Sequence, residues 1–185
     1  MAVKRPLTVL VSCIDKISEG IGRVASWGAI AMVLVTFYIV LTRYAFNIGS
    51  IAVQESVIYI NALLFLLCAG YTLKHDGHVR VDIFYGPASP RYKAWANLLG
   101  GLLLLLPVSI FILWASWDYV GAAWRIKETS PEAGGIPYVY LMKTLMVVMP
   151  VLLILQGVAE ILRNVLFLFF HTADTAEHHD HEGAL

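Results

Sequence analysis

The sequence predicts an all-α integral membrane protein with four transmembrane helices, an amphipathic N-terminal helix and an interfacial segment between spans two and three. Three observations predict it. Hydrophobic residues make up 59% of the 185 residues and charged residues only 14%, against ~45–50% and ~25% in an average soluble domain, and mean hydropathy is +0.73. The apolar residues gather in four runs, each near or above the ~20 residues that cross a bilayer core. Those runs are solid rather than alternating, which excludes the strands of a membrane β-barrel. The same composition excludes a disordered chain. Lys+Arg and Asp+Glu each number 13, so there is no basic excess of the kind a nucleic-acid binder needs.

Leu10, Ile14, Ile17, Ile21 and Val24 recur at helical spacing, while Ser12, Lys16 and Glu19 fall elsewhere on the wheel. That pattern predicts an amphipathic helix on the inner leaflet, leading into span one. Span one covers about residues 24–42; its length, and the lack of a small-residue cleavage site after it, set it apart from a signal peptide. Span two covers about residues 51–73 and holds Gln54, Glu55 and Asn61. Val79, Val81, Ile83, Phe84 and Tyr85 are apolar residues in a charged loop and are expected along the membrane surface. Ser89-Pro90 has the form of an N-cap followed by proline at the first helical position, opening span three, about residues 94–117. Ser130-Pro131 opens a short turn in the next loop in the same way. Span four covers about residues 139–168, within an apolar run too long for a perpendicular crossing, so it tilts or protrudes. Residues 1–170 then form one four-helix domain, and the polar, His-rich residues 171–185 are expected to be disordered. There is no internal repeat, which argues against an inverted-repeat transporter within this chain.

Positive charge sets the orientation. Lys4, Arg5, Lys16 and Arg23 precede span one, and only Arg43 lies between spans one and two. Lys74, Arg80, Arg91 and Lys93 lie between spans two and three, while Arg125 and Lys127 after span three are offset by Glu128 and Glu132. The positive-inside rule places both termini and the middle loop in the cytoplasm. Trp114, Trp117 and Trp124 then mark the outer end of span three, and Tyr92 and Trp95 its inner end.

Polar residues inside spans are costly and call for individual explanation. Gln54, Asn61 and Cys68 are seven apart and share a stripe of span two, with Glu55 beside it near the outer end. The stripe reads as a seam facing a partner helix, against the simpler alternative that Glu55 reaches the interface and Asn61 bonds a neighbouring helix. Gln156, Glu160 and Arg163 follow an i, i+4, i+7 pattern in span four, and Glu160 can pair with Arg163 structurally. Pro107 and Pro150 are mid-span and predict kinks. Ala94, Asn97 and Gly101 form a small-residue face suited to close packing. None of the six histidines is mid-membrane, so no bis-histidine haem site is expected. Cys13 and Cys68 form no CxxC. Neither a catalytic constellation nor a Gly-rich phosphate loop is visible, so no enzyme activity and no cofactor are expected.

The stretch Lys74-His75-Asp76-Gly77-His78-Val79-Arg80-Val81-Asp82 directly after span two resembles a motif of the small membrane subunit of tripartite ATP-independent periplasmic (TRAP) transporters, the DctQ type. That motif has a His, a hydrophobic residue, a variable residue and an Asp, matched by His78, Val79, Val81 and Asp82. Arg43 and Phe46 match an Arg-x-x-Phe signature closing span one. Gln54-Glu55 matches the acidic pair opening span two, with Gln54 in place of the first glutamate and Ala52 at a position often held by Trp. Ser130-Pro131-Glu132-Ala133-Gly134-Gly135-Ile136-Pro137 and Leu155-Gln156-Gly157 resemble one subgroup of these subunits.

The resemblance implies a non-catalytic scaffold subunit. It would support a large multi-span permease that carries the substrate and ion sites. A periplasmic binding protein would deliver an organic acid, and an ion gradient, usually sodium, would drive uptake. Arg43, Gln54, Glu55, Asn61, His78, Arg80, Asp82, Gln156 and Glu160 are the expected contacts to the large subunit or the lipid interface. Arg125, Lys127, Glu128 and Glu132 are the expected contacts to the periplasmic protein. The motif after span two is expected to fix loop geometry or touch the large subunit, against simple solvation of a loop. Two other classes stay open: a self-contained proton-coupled exporter using Glu55, and a membrane anchor of a redox complex.

Overall fold

A computed structural model of the chain describes the backbone of residues 4–79 and 85–182 and the side chains of residues 5–79 and 85–169. Arg80, Asp82 and most of the expected interfacial segment lie outside the described residues. All regular structure among the described residues is helical: α1 (Lys4–Phe46), α2 (Ile51–Lys74), α3 (Pro90–Gly100), a π-helical turn (Gly101–Leu105), α4 (Leu106–Ile126) and α5 (Val139–Glu182). Four helical units are long and apolar enough to cross a membrane: Arg5–Phe46, Ile51–Lys74, Pro90–Ile126 and Val139–Phe169. α5 stays helical beyond the expected end of span four.

The helices are layered about α5, which packs against α1, α2, α3 and α4. α1 and α2 form one hairpin, and α3–α4 lie on the other flank of α5 without comparable contact to α1. The unit is therefore an open arc rather than a closed bundle. Among the described residues its buried apolar side chains are few, with alanines (Ala94, Ala123, Ala159) beside larger residues such as Val120, Leu145 and Leu152. In lipid, close packing of small residues replaces the hydrophobic drive between helices.

Close approaches follow from glycines. A Cβ on Gly70 of α2 would lie 3.3 Å from the backbone oxygen of Leu152 in α5. One on Gly101 would meet Ile161, and one on Gly157 would lie 2.8 Å from Leu105. The expected small-residue face of span three thus packs on α5, and Ala94 on it is buried. Asn97, on the same face, exchanges hydrogen bonds with the Tyr85 hydroxyl at 3.0 and 3.2 Å.

The N-terminal amphipathic stretch is continuous with span one. Its inward face is centred on Val11, Ile14 and Ser18, with Val11 and Ile14 packed on Ala159 and Leu162 of α5. Leu10, Ile17 and Val24, expected on the apolar face, are exposed. The steps of three, four and four residues from Val11 through Ile14 and Ser18 to Gly22 keep this face toward the neighbouring helices along the stretch.

Ser89 caps α3 as expected, accepting from the Tyr92 N–H at 3.3 Å, with Pro90 at the first turn. α2 ends in a Schellman motif: Asp76 is left-handed (φ 52°), its N–H donates to Leu73, and the Gly77 N–H donates to Thr72 at 2.8 Å. α4 ends likewise through Lys127 (φ 49°) and Glu128. Pro107 follows the π-helical turn, where the Leu106 N–H reaches the Gly101 oxygen. A proline cannot donate, and its ring crowds the carbonyl four residues earlier; the wider turn fits that disruption inside a continuous span. Pro150 is fully buried, and α5 continues through it.

Candidate partner-binding site

Polar side chains concentrate at the two ends of the arc. At the end holding the α1 N-terminal half, Ser18 donates to Gln156 Oε1 at 2.7 Å, and Gln156 Nε2 donates to Asp15 at 3.0 Å. Arg163 Nη2 donates to both Asp15 oxygens at 3.0 and 2.8 Å, and Nη1 binds Glu160. Gln156 is wholly buried, so its amide needs both partners. The expected Glu160–Arg163 pair is present. Asp15 and Ser18 escaped the sequence reading, although both lie within a turn of Ile14 on the inward side of α1. Nearby, Glu19 receives Lys74 at 2.6 Å, has His75 at 2.9 Å and receives Arg23 at 3.1 Å. This ties α1 to the end of α2 just before the motif. His78 itself is exposed.

At the opposite end, the loop between α4 and α5 closes over the start of α2. Glu55 accepts from the Ser130 hydroxyl and, at 2.6 Å, from the Ile136 N–H. The expected turn at Ser130-Pro131 is present, with the Glu132 N–H donating back to Ser130 Oγ. Lys143 binds Glu128 at 2.6 Å and sits 4.2 Å from the Tyr119 ring centroid. Lys127 lies over the rings of Trp124 and Tyr140, at 4.6 and 4.9 Å, a cation–π arrangement. Of the residues expected to touch a periplasmic protein, Glu128 and Lys127 are thus engaged within the chain, while Arg125 and Glu132 are exposed.

The stripe on α2 divides. Gln54 and Asn61 are exposed on its outer surface, flanked by Ile58 (57% exposed) and Phe65 (68%). Cys68 turns inward, its thiol 3.9 Å from the Gly22 oxygen of α1. Neither Gln54 nor Asn61 forms a side-chain hydrogen bond among the described residues. Arg43 and Gln54 line a cleft of about 30 Å³ where α1 turns into α2. A groove of about 580 Å³ runs between α1 and α2, lined by Gly20, Ile21, Gly28, Leu63 and Leu67 among others.

Four long apolar helices, with most of their polar contacts gathered at two ends and large apolar side chains exposed along their outer faces, define a small multi-span α-helical membrane protein. Residues 32–167 match the family described as tripartite ATP-independent periplasmic transporters, DctQ component, and the chain belongs to that family. It is 32% identical over 89 residues to the C4-dicarboxylate TRAP transporter small permease protein DctQ of Vibrio cholerae serotype O1. That match takes in 48% of this chain and only 38% of the relative's length. No solved structure matches the chain.

Proposed function

We propose that the chain is the scaffold subunit of a TRAP-type secondary transporter. It supports a large permease subunit in a bacterial or archaeal inner membrane, with both termini cytoplasmic. The complex takes up an organic acid delivered by a periplasmic binding protein and driven by an ion gradient, sodium being the ion the resemblance favours. The relative's name makes a C4-dicarboxylate the first substrate to test.

The observation that carries this reading is the outer face of α2. Asn61 is an amide in the middle of an apolar span, exposed beside Ile58 and Phe65. An amide facing lipid is unfavourable, whereas one facing a second membrane protein finds partners. The charged groups Asp15, Glu160 and Arg163 are by contrast engaged with one another at one end of the arc. Glu55 is held by Ser130 and Ile136 at the loop end, which gives no support to a proton-carrying role in a self-contained exporter.

The test is uptake of labelled C4-dicarboxylate into vesicles containing the large permease and the loaded binding protein, with and without this chain. Uptake is expected only when the chain is present, together with stable co-purification of the two membrane subunits. Full uptake by the large subunit alone would overturn the proposal.

A further inference from the structure

We infer that Glu55 is a positioning residue: its carboxylate clasps the loop between α4 and α5 in one conformation, so that the loop tip at residues 131–134 is presented to the incoming binding protein. The docking half of this inference rests on the function proposed above; the clasp itself does not.

The clasp is built from both sides. One carboxylate oxygen accepts a hydrogen bond from the Ser130 hydroxyl and the other accepts from the Ile136 N–H at 2.6 Å. Ser130 in turn accepts from the Glu132 N–H at 3.2 Å, and its own N–H donates to the Ile136 oxygen at 3.3 Å. The Gly135 N–H donates to the Glu132 oxygen at 3.0 Å. The loop is thus folded on itself around the acid. Gly135 is what lets it close: a Cβ there would lie 2.4 Å from Ser130 Oγ and 2.7 Å from Glu55 Oε1. Gly134, at φ +80°, makes the turn that precedes it.

The α4 end of the loop is fixed separately, onto the start of α5, where the Tyr140 N–H donates to the Glu128 oxygen at 3.4 Å. Glu128 is bound by Lys143, and Lys127 lies on Trp124 and Tyr140. Among the described residues, the middle of the loop is hydrogen-bonded to the rest of the protein only through Glu55. Ser130, Gly135 and Ile136 are half-buried against the carboxylate, while Pro131, Glu132, Ala133 and Gly134 are exposed. That division points the tip outward, with Arg125 exposed nearby. A carboxylate is the group this geometry demands, because two donors converge on it. Glutamine would bring an NH2 group against one of them, and aspartate is one methylene short.

A loop held in one conformation binds without first having to be selected from an ensemble, so loosening it weakens apparent affinity in proportion to the competent fraction lost. The experiment uses Glu55→Gln, Ser130→Ala and Gly135→Ala, each read in two ways. The first readout is amide hydrogen exchange over residues 127–138 in the purified chain. The second is uptake by the assembled transporter as loaded binding protein is titrated. Exchange is expected to quicken in all three. The apparent KM for loaded binding protein should rise about threefold to tenfold while the maximal rate is kept. The double variant Glu55→Gln/Ser130→Ala should be no worse than the weaker single variant, because both remove one linkage.

Unchanged exchange in Glu55→Gln and Ser130→Ala would overturn the clasp. Faster exchange with an unchanged KM would overturn the docking role. Loss of maximal rate in Glu55→Gln alone, with Ser130→Ala and Gly135→Ala normal, would make the acid a carrier instead. Should the wild-type chain fail to support uptake at all, the proposed function falls, and exchange in the purified chain still decides the clasp.

Discussion

Asp15 is one carboxylate of α1 on which two side chains of α5 converge. It accepts from Gln156 at 3.0 Å and from Arg163 at 2.8 and 3.0 Å, joining α1 to α5. Removing it leaves a wholly buried amide with half its partners and a guanidinium with only Glu160. Asp15→Ala is therefore expected to destabilise the chain by about 1–3 kcal/mol, measured as a lower melting temperature in detergent. Asp15→Asn should fall between the two, since it keeps an acceptor but loses the charge that strengthens the Arg163 bond. Wild-type melting in Asp15→Ala would show that the cluster does not hold α1 to α5.

The helices meet through glycines, and each contact has its own tolerance. At Gly70 the neighbour is the Leu152 carbonyl, 3.3 Å from where a Cβ would sit, and backbone cannot move aside as a side chain can. Gly70→Val adds further carbons beyond that Cβ and is expected to push α2 off α5 at a cost of about 1–3 kcal/mol. Gly121→Ala, with nothing within 4 Å, is the matched control and should melt like wild type. Equal melting of the two variants would mean that the α2–α5 approach is not close in the membrane. At Gly157 the nearest atom is the flexible end of Leu105, so alanine there should be milder than valine at Gly70. The π-helical turn before Pro107 belongs to the same scale, since a local widening lets one span carry both a proline and a close contact to α5.

At the scale of the whole molecule, α5 is the hub and the arc leaves the outer faces of α1 and α2 open. The large apolar side chains there, among them Trp27, Phe37 and Phe65, are exposed, as suits a surface that meets lipid or another membrane protein. Asn61→Leu removes no side-chain hydrogen bond among the described residues, so its melting temperature should stay near wild type. Co-purification with the large permease should nevertheless weaken, because the amide loses its interhelical partner. Equal recovery of the two subunits from wild type and Asn61→Leu would assign the α2 face to lipid.

The span count, the capped start of α3, the Glu160–Arg163 pair and the family resemblance were all legible in sequence. They rest on long apolar runs, on local spacing along one helix, or on contiguous motifs. Less legible was which polar residues face inward. Asp15 reads as another charge of an amphipathic stretch until α5 approaches it, and Leu10 and Ile17 read as part of the apolar face until the packing of Val11 and Ile14 turns them out. Glu55 and Ser130 are 75 positions apart, so no local spacing joins them. The sequence by itself determined that this is a four-span helical membrane protein, because bilayer thickness imposes a length and an apolarity on each element. Only the tertiary structure decided that Glu55 serves the loop while Gln54, beside it, faces outward. A helix turns about 100° per residue, and which side meets a neighbour is set by how the helices pack.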